Sequence, residues 1–213
     1  VFLKTCTNGS SELMTNLSMS LVNALYNLQL MKIAGENGVA AYGAVMYVNF
    51  IFVATFLGYA IGCAPVISYH YGAGNHAELK NLYKKSMSII LVWGVILFGA
   101  AQLLAPVLSK IFVGYNTGLY AMTLHGFRVY AIAFLIIGIN IFGSSFFTAL
   151  NNGLISAVIS FLRTLVFQVI MVLTLPLWFG INGIWSAISI AEALTLIMTT
   201  TFFVRQKDKY HYL

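Results

Sequence analysis

The chain has 213 residues, of which 60% are hydrophobic and only 8% are charged, and its mean hydropathy is +0.89. In ordinary soluble domains about 25% of residues are charged. A soluble core of this size could not bury so much apolar surface, so the composition excludes an ordinary soluble domain. The net charge is +6, but the basic residues lie between apolar segments and near the C-terminus. This distribution favours membrane topology over nucleic-acid binding.

Two cysteines, Cys6 and Cys63, lie far apart in the sequence and indicate neither a disulfide framework nor a metal site. The apolar run at residues 1–3 is too short for a signal peptide, and no small-residue cleavage site follows it. Because the first residue is not Met, we expect the chain to be part of a longer protein or a trimmed form of one.

Six apolar segments are long enough to cross a membrane, since a spanning helix needs about 20 mostly apolar residues. Loops rich in glycine and asparagine separate several of them, as at residues 35–38, 151–153 and 179–183. We therefore predict an all-α polytopic membrane protein with a single six-helix bundle over residues 1–213. The predicted helices lie near residues 13–31, 39–61, 86–108, 127–150, 156–178 and 183–204.

An even number of spans places both termini on the same side of the membrane. That side carries seven basic residues, and the opposite side carries only Lys32 and Lys110. Because cytoplasmic loops are enriched in lysine and arginine, both termini are predicted to be cytoplasmic, in the cytoplasmic (inner) membrane of the cell. The seven basic residues are Lys4, Lys80, Lys84, Lys85, Arg205, Lys207 and Lys209.

Glu192 is the one acid inside a long apolar tract and would lie close to the middle of the bilayer in the sixth span. A carboxylate at this depth costs roughly 3 kcal/mol or more unless it is protonated, paired or hydrated. Two readings stay open: Glu192 lines a hydrated cavity, or it is the structural partner of Arg163, whose height in the fifth span is comparable. For Arg163 there is a further possibility, that its side chain extends toward the cytoplasmic headgroups and does not pair with Glu192.

Polar side chains recur inside the predicted spans. In the first span, four of them follow one another at offsets of 4, 7 and 11 residues from the first, which places them on one helix face. One or two such residues suffice for hydrogen bonds between membrane helices, whereas a stripe of four favours a hydrated cleft for a substrate or ion. Together with Glu192, the candidate cleft residues are Asn16, Ser20, Asn23, Asn27, Tyr42, Asn49, Asn140 and Ser144.

The sequence contains none of the residue combinations that are typical of catalytic sites, such as paired acids, a nucleophile with its base, or a Walker loop. With a single acid inside the spans, a transporter is favoured over an enzyme. We therefore predict that the chain is not an enzyme and that it has no catalytic residues, no bound metal and no organic cofactor.

Three stretches carry a family resemblance: GENGVAAYG at residues 35–43, PVISYHYGAGN at residues 65–75, and GINGIWSA at residues 180–187. Gly58, Gly62 and Lys80 flank the second, and Pro176, Ala191 and Glu192 flank the third. In order and spacing they resemble the C-terminal lobe of the MATE (multidrug and toxic compound extrusion) transporters. The resemblance covers essentially the whole chain.

The resemblance implies a transporter of two six-helix lobes related by an axis along the membrane normal, of which this chain matches the second. The chain would then be half of a secondary active multidrug exporter, which moves cationic amphipathic compounds through a cleft between the lobes. Proton or sodium antiport would drive export, so H⁺ or Na⁺ is the coupling ion that we expect. The expected partners are the missing N-terminal lobe, membrane lipid and small-molecule substrates, and not nucleic acid.

One departure from the family bears on coupling. Some sodium-coupled members carry carboxylates in the seventh and tenth helices, where this chain has Ser18 or Met19 and Asn140. A coupling aspartate in the N-terminal lobe is therefore an alternative. Two other functions stay open: a flippase for lipid-linked oligosaccharides from the wider superfamily, which would favour a positively charged cleft over Glu192, and an integral membrane enzyme.

Overall fold

The computed structural model describes the backbone of residues 10–213 and the side chains of residues 18–213. Within these residues the chain is almost entirely helical and contains no β-strand, so the predicted all-α class is confirmed. A π-helical turn, Leu162–Phe167, joins two of the helices. The α-helices are α1 (Ser10–Gly72), α2 (His76–Val113), α3 (Thr117–Ala131), α4 (Phe134–Ala149), α5 (Gly153–Phe161), α6 (Gln168–Phe179) and α7 (Ile181–Tyr210).

Asparagine side chains stabilise the first turns of three helices. The side-chain oxygens of Asn75, Asn116 and Asn152 accept hydrogen bonds from the backbone N–H three residues further on, at 3.1, 3.1 and 3.3 Å. These N–H groups belong to the first turn, where no helix carbonyl is available to accept from them. Between α6 and α7, Gly180 reverses the chain with φ 55°, a conformation that residues with a Cβ rarely adopt.

Helix α1 consists of two membrane-crossing segments. Its 63 residues would measure about 95 Å at 1.5 Å per residue, three times a hydrocarbon core of about 30 Å. At Gly35 the backbone leaves helical geometry, with φ 62° and ψ −154°. This break divides α1 into an N-terminal arm (residues 10–34) and a C-terminal arm (residues 36–72).

With α1 divided, the described residues form six spans. Helices α2 and α7 and the continuous unit of α5, π-helical turn and α6 are each long and apolar enough to cross a membrane. The predicted span 127–150 instead corresponds to two helices, α3 and α4, which are bent by 48° relative to each other. The N–H groups of Ile132 and Ala133 bond to carbonyls three residues back, at 3.3 and 3.0 Å, and this tighter winding produces the bend.

Helices α3 and α7 approach each other closely at a glycine. Gly126 of α3 lies against the indole ring of Trp185 of α7, which is 1% exposed. A Cβ atom at Gly126 would lie 2.5 Å from the Trp185 Cε2, closer than two carbon atoms can pack. Small residues at such crossings allow membrane helices to pack closely.

An aromatic cluster closes the end of the bundle at which α2 begins and α7 ends. The ring centroid of Tyr212 lies 5.0 Å from that of Phe146 and 5.2 Å from that of Tyr83. Tyr212 is fully buried, and its hydroxyl donates to the Phe203 carbonyl oxygen at 2.8 Å. Burial raises the pKa of this hydroxyl above its usual value, so it stays protonated as a donor. Tyr212, which follows α7, thus belongs to the core.

Candidate functional site

Glu192 in α7 and Arg163 in the π-helical turn form an ion pair. The Arg163 Nε donates to both carboxylate oxygens of Glu192, at 2.9 Å to Oε1 and 3.1 Å to Oε2. The Glu192 side chain is 1% exposed and the Arg163 side chain is 15% exposed. Of the alternatives that the sequence left open, the structure therefore shows the pairing, and Arg163 does not extend alone toward the headgroups.

Asn140 of α4 contacts the same carboxylate from the opposite helix. Its Nδ2 donates to Glu192 Oε2 at 2.7 Å and to the Glu192 backbone carbonyl at 3.0 Å. Asn140 is completely buried, and its Oδ1 has no hydrogen-bond partner among the described residues. The carboxylate thus accepts from a guanidinium and an amide, and hydrogen bonds of this charge-assisted kind are the stronger ones in proteins.

The π-helical turn Leu162–Phe167 positions Arg163. Such turns are rare and occur frequently at functional sites. The extra residue in the turn changes the direction in which the following side chains leave the helix. No glycine or proline occurs in Leu162–Phe167, so the sequence did not predict the turn.

A cavity of about 360 Å³ lies beside the ion pair, within the size range of small-molecule sites. Both arms of α1, helices α3, α4, α6 and α7, and the π-helical turn form its wall. Much of the wall is apolar, with Met46, Val53 and Ile141 among its residues. The polar residues of the wall are Asn23, Tyr26, Tyr42, Asn49, Tyr130, Arg163, Thr164, Gln168 and Glu192.

Two tyrosines from the two arms of α1 stack inside this cavity. The ring centroids of Tyr26 and Tyr42 lie 5.1 Å apart, and the rings are nearly parallel at 6°. The Tyr26 hydroxyl donates to Gln168 Oε1 at 3.1 Å, and the Tyr42 hydroxyl donates to Asn23 Oδ1 at 2.9 Å. The stack and its hydrogen bonds hold the two arms and α6 together around the cavity.

The structure brings several of the predicted cleft residues together. Asn140 is not part of the cavity wall but lies directly behind it, in contact with Glu192. The predicted residues in the wall itself are Asn23, Tyr42, Asn49 and Glu192.

Two predicted residues of the first span, Ser20 and Asn27, are exposed and lie outside the cavity wall. At about 100° per residue, they point about a quarter of a turn away from the centre of the stripe that this arm contributes. That stripe consists of Met19, Val22, Asn23 and Tyr26. The side chain of the remaining predicted residue, Asn16, lies outside the described residues.

Ser144 of α4 lies away from the cavity and contacts α5 instead. Its hydroxyl is 2.9 Å from that of Ser156 and 2.8 Å from that of Ser160. Thr148, one turn further along α4, lies 2.6 Å from the Ser156 hydroxyl. This cluster is the hydrogen bonding between helices that small polar residues provide in membrane bundles.

Sequence reasoning missed several residues of the wall, chiefly Tyr26, Tyr130 and Gln168. Tyr26 follows Asn23 by three residues and so shares its helix face, and this spacing could have identified it. Gln168 is the one amide side chain within the predicted span 156–178, and its isolation there was a comparable signal. Tyr130 precedes the bend between α3 and α4, and only the packing shows where it points.

The comparisons with known proteins agree with this architecture. The model of the MatE family matches residues 13–174. No curated protein matches the sequence.

Solved structures of transporters share the fold at 20–21% sequence identity. One of MATE in the straight conformation has a TM-score of 0.89 over 99% of this chain. The structure of an outward-facing multidrug resistance MATE transporter of the MOP superfamily has a TM-score of 0.88 over 98% of this chain. A MOP superfamily transporter from Pyrococcus furiosus Vc1 (DSM3638), described as having a binding pocket of reverse polarity, gives 0.86 over 96% at 21% identity.

The chain spans about half the length of these structures, 46–47% of each, in agreement with a single lobe. Its long apolar helices and this fold make it part of a multi-pass membrane protein, and its relatives are transporters, so the prediction that it is not an enzyme is confirmed. Since the family model matches well over half of the 213 residues, this chain belongs to the MatE family of transporters.

Proposed function

We propose that this chain is the second six-helix lobe of a secondary active multidrug exporter and that amphipathic substrates pass through a cleft between it and an N-terminal lobe. The observation that supports this most directly is the cavity, which lies among membrane-spanning helices and combines apolar, tyrosine and amide side chains. Such a wall suits molecules with an apolar body and a polar head group. Rocking of two lobes about a shared site would expose it to each side of the membrane in turn.

We further propose that antiport of H⁺ or Na⁺ drives export, as the family resemblance implies. Among the described residues, Glu192 is the one carboxylate in the cavity wall, and Arg163 and Asn140 already bind it. A coupling ion at Glu192 would have to open this ion pair. For this reason we place the coupling site at an acid of the N-terminal lobe.

The charges in the cavity wall bear on two candidate functions. The family resemblance implies cationic amphipathic compounds, but the pairing of Glu192 weighs against a cation bound at its carboxylate. Arg163 brings a positive charge to the cavity wall, and this observation supports the second candidate, a flippase of lipid-linked oligosaccharides. The two candidates differ in what moves, a free small molecule or a lipid.

Reconstitution of the full-length transporter into proteoliposomes tests these candidates. Cationic and anionic amphipathic dyes are tested in parallel under an imposed pH or Na⁺ gradient. An exporter should move at least one of the two classes, at rates that depend on protein and gradient. The lobe alone provides one wall of the cleft and should move none. Movement of a fluorescent lipid-linked oligosaccharide without any dye movement would favour the flippase, and movement of neither would refute the proposed function.

We propose the cytoplasmic membrane as the location, with both termini and the loop between α1 and α2 cytoplasmic. The exposed positions Ala73 and Thr117 lie at opposite ends of α2 and test this orientation. In a protein whose native cysteines are replaced by serine, an impermeant thiol reagent added to intact cells should label Thr117→Cys and not Ala73→Cys. The opposite labelling pattern would show that the orientation is inverted.

A further inference from the structure

The cavity wall contains one negative and one positive side chain among the described residues, Glu192 and Arg163. Their pairing decides which of the two charges a substrate can contact. We propose that the cavity binds the anionic head group of an amphipathic substrate, a carboxylate or a phosphate, against the Arg163 guanidinium. The proposal rests on the proposed function, because it names the substrate class for the same cavity.

The carboxylate of Glu192 has little capacity left for a ligand. Its Oε1 accepts from Arg163 Nε, and its Oε2 accepts from both Arg163 Nε and Asn140 Nδ2. Only 1% of the side chain is exposed. A cation that binds this carboxylate would have to displace the guanidinium and leave it unpaired among membrane helices, which is unfavourable.

The Arg163 guanidinium is only partly used. It binds Glu192 through Nε, and its two Nη atoms have no hydrogen-bond partner among the described residues. A guanidinium has five N–H donors in a planar fork that matches the oxygens of a carboxylate or phosphate. The 15% of the side chain that is exposed therefore presents the positive end of the ion pair to the cavity.

The amide side chains of the wall also present donors. The Oδ1 of Asn23 accepts from Tyr42, and the Oε1 of Gln168 accepts from Tyr26. The amide N–H groups of both residues have no hydrogen-bond partner among the described residues and remain for a ligand. An opposing group is Asn49 Oδ1, a buried acceptor without a partner among the described residues. The guanidinium and the two amides thus place N–H donors at the cavity, where a head group that accepts hydrogen bonds can use them.

Two probes of nearly equal shape and opposite charge test the proposal. Indole-3-propionate and tryptamine carry the same indole on a two-carbon linker, which ends in a carboxylate or an ammonium. Equilibrium binding of each is measured to the full-length transporter in nanodiscs of zwitterionic lipid, which repels neither probe. We expect indole-3-propionate to bind about tenfold or more tightly than tryptamine, as charge-assisted hydrogen bonds to the guanidinium predict.

The double change Arg163→Gln with Glu192→Gln removes both charges and keeps a polar pair, so that neither residue is left as a buried unpaired ion. We expect this variant to lose the preference for indole-3-propionate. The matched control is Arg128→Gln, which removes an exposed arginine outside the cavity wall and should preserve the preference.

Three outcomes would overturn the proposal: tryptamine binds as tightly as indole-3-propionate or more so, neither probe binds, or the double variant keeps the preference. Dye movement in proteoliposomes is measured on the same preparation. A protein that moves dyes but prefers tryptamine would refute the anionic head group and leave the proposed function intact. A protein that prefers indole-3-propionate but moves no dye would refute the proposed export and leave the proposed anion-binding site intact.

Discussion

The substitution Glu192→Gln measures what the ion pair contributes to folding. Glutamine keeps the shape of the side chain and one acceptor oxygen but removes the charge. Asn140 keeps its hydrogen bond to the backbone carbonyl of residue 192, at 3.0 Å. The main loss is therefore the charge that compensates Arg163.

The expected magnitude follows from burial. Removing one partner of a buried ion pair costs about 3–5 kcal/mol, because the other charge is left uncompensated. Arg163 is 15% exposed at the cavity, where water can hydrate it, and glutamine still accepts from its Nε. We therefore expect Glu192→Gln to lower the free energy of unfolding by about 2–3 kcal/mol, below or at the low end of that range.

The double-mutant cycle with Arg163→Gln isolates the interaction between the two residues. The double variant has no unpaired charge, so its stability should return to within about 1 kcal/mol of the unsubstituted protein. Arg163→Gln should cost at least as much as Glu192→Gln, because Glu192 is the more buried of the two, so the coupling energy should be about 3 kcal/mol or more. Folded yield and thermal stability of the full-length protein in detergent provide the measurement. Transport by the rescued double variant then shows whether the charges also act in function.

Two results would contradict this reasoning. If the effects of the two single substitutions simply add, the ion pair contributes nothing beyond its separate residues. If Glu192→Gln has both normal folded yield and normal transport, this carboxylate has neither a structural role in folding nor a functional role in transport.

The remaining predictions concern packing, each measured as thermal stability in detergent. Gly126→Ala should destabilise the protein by about 1–3 kcal/mol, because the new methyl group overlaps the Trp185 ring. The control Gly99→Ala should be close to neutral, because a Cβ atom there has no neighbour within 4 Å. Equal effects of the two substitutions would refute the close approach of α3 and α7. Tyr212→Ala should cost about 3–5 kcal/mol as a fully buried aromatic residue, whereas truncating the exposed Leu213 to alanine should have little effect. A neutral Tyr212→Ala would show that Tyr212 is not part of the core.

Hydropathy and turn residues predicted the spans because both signals are local. A run of about 20 apolar residues has to form a helix in a membrane, and residues such as Gly35 and Asn152 end or begin helices through their own backbone and side-chain geometry. The depth of Glu192 and the comparable height of Arg163 also follow from counting residues along two antiparallel helices. The sequence could therefore predict the contact between Glu192 and Arg163 as one of a few alternatives.

The details of the cavity depended on information that is not local. A helical stripe fixes which residues share a face, but not which neighbour that face meets, so Asn23 lies in the wall while Ser20 does not. Ser144 has the same chemistry as a cleft residue, and only the position of α5 makes it a contact between helices. The π-helical turn at Leu162–Phe167 and the bend after α3 have no marker in the sequence, because packing of the surrounding helices selects them.

The turn at Gly180 has a consequence for how the chain enters the membrane during synthesis. It joins two spans that each carry one member of the ion pair, and a lone charge at the centre of an inserting helix costs about 2.5–3.5 kcal/mol. Arg163 emerges from the ribosome before Glu192. The fifth span alone would therefore enter the lipid with an unpaired charge, which is unfavourable. The last two spans are therefore expected to leave the insertion machinery together as one electrically neutral hairpin.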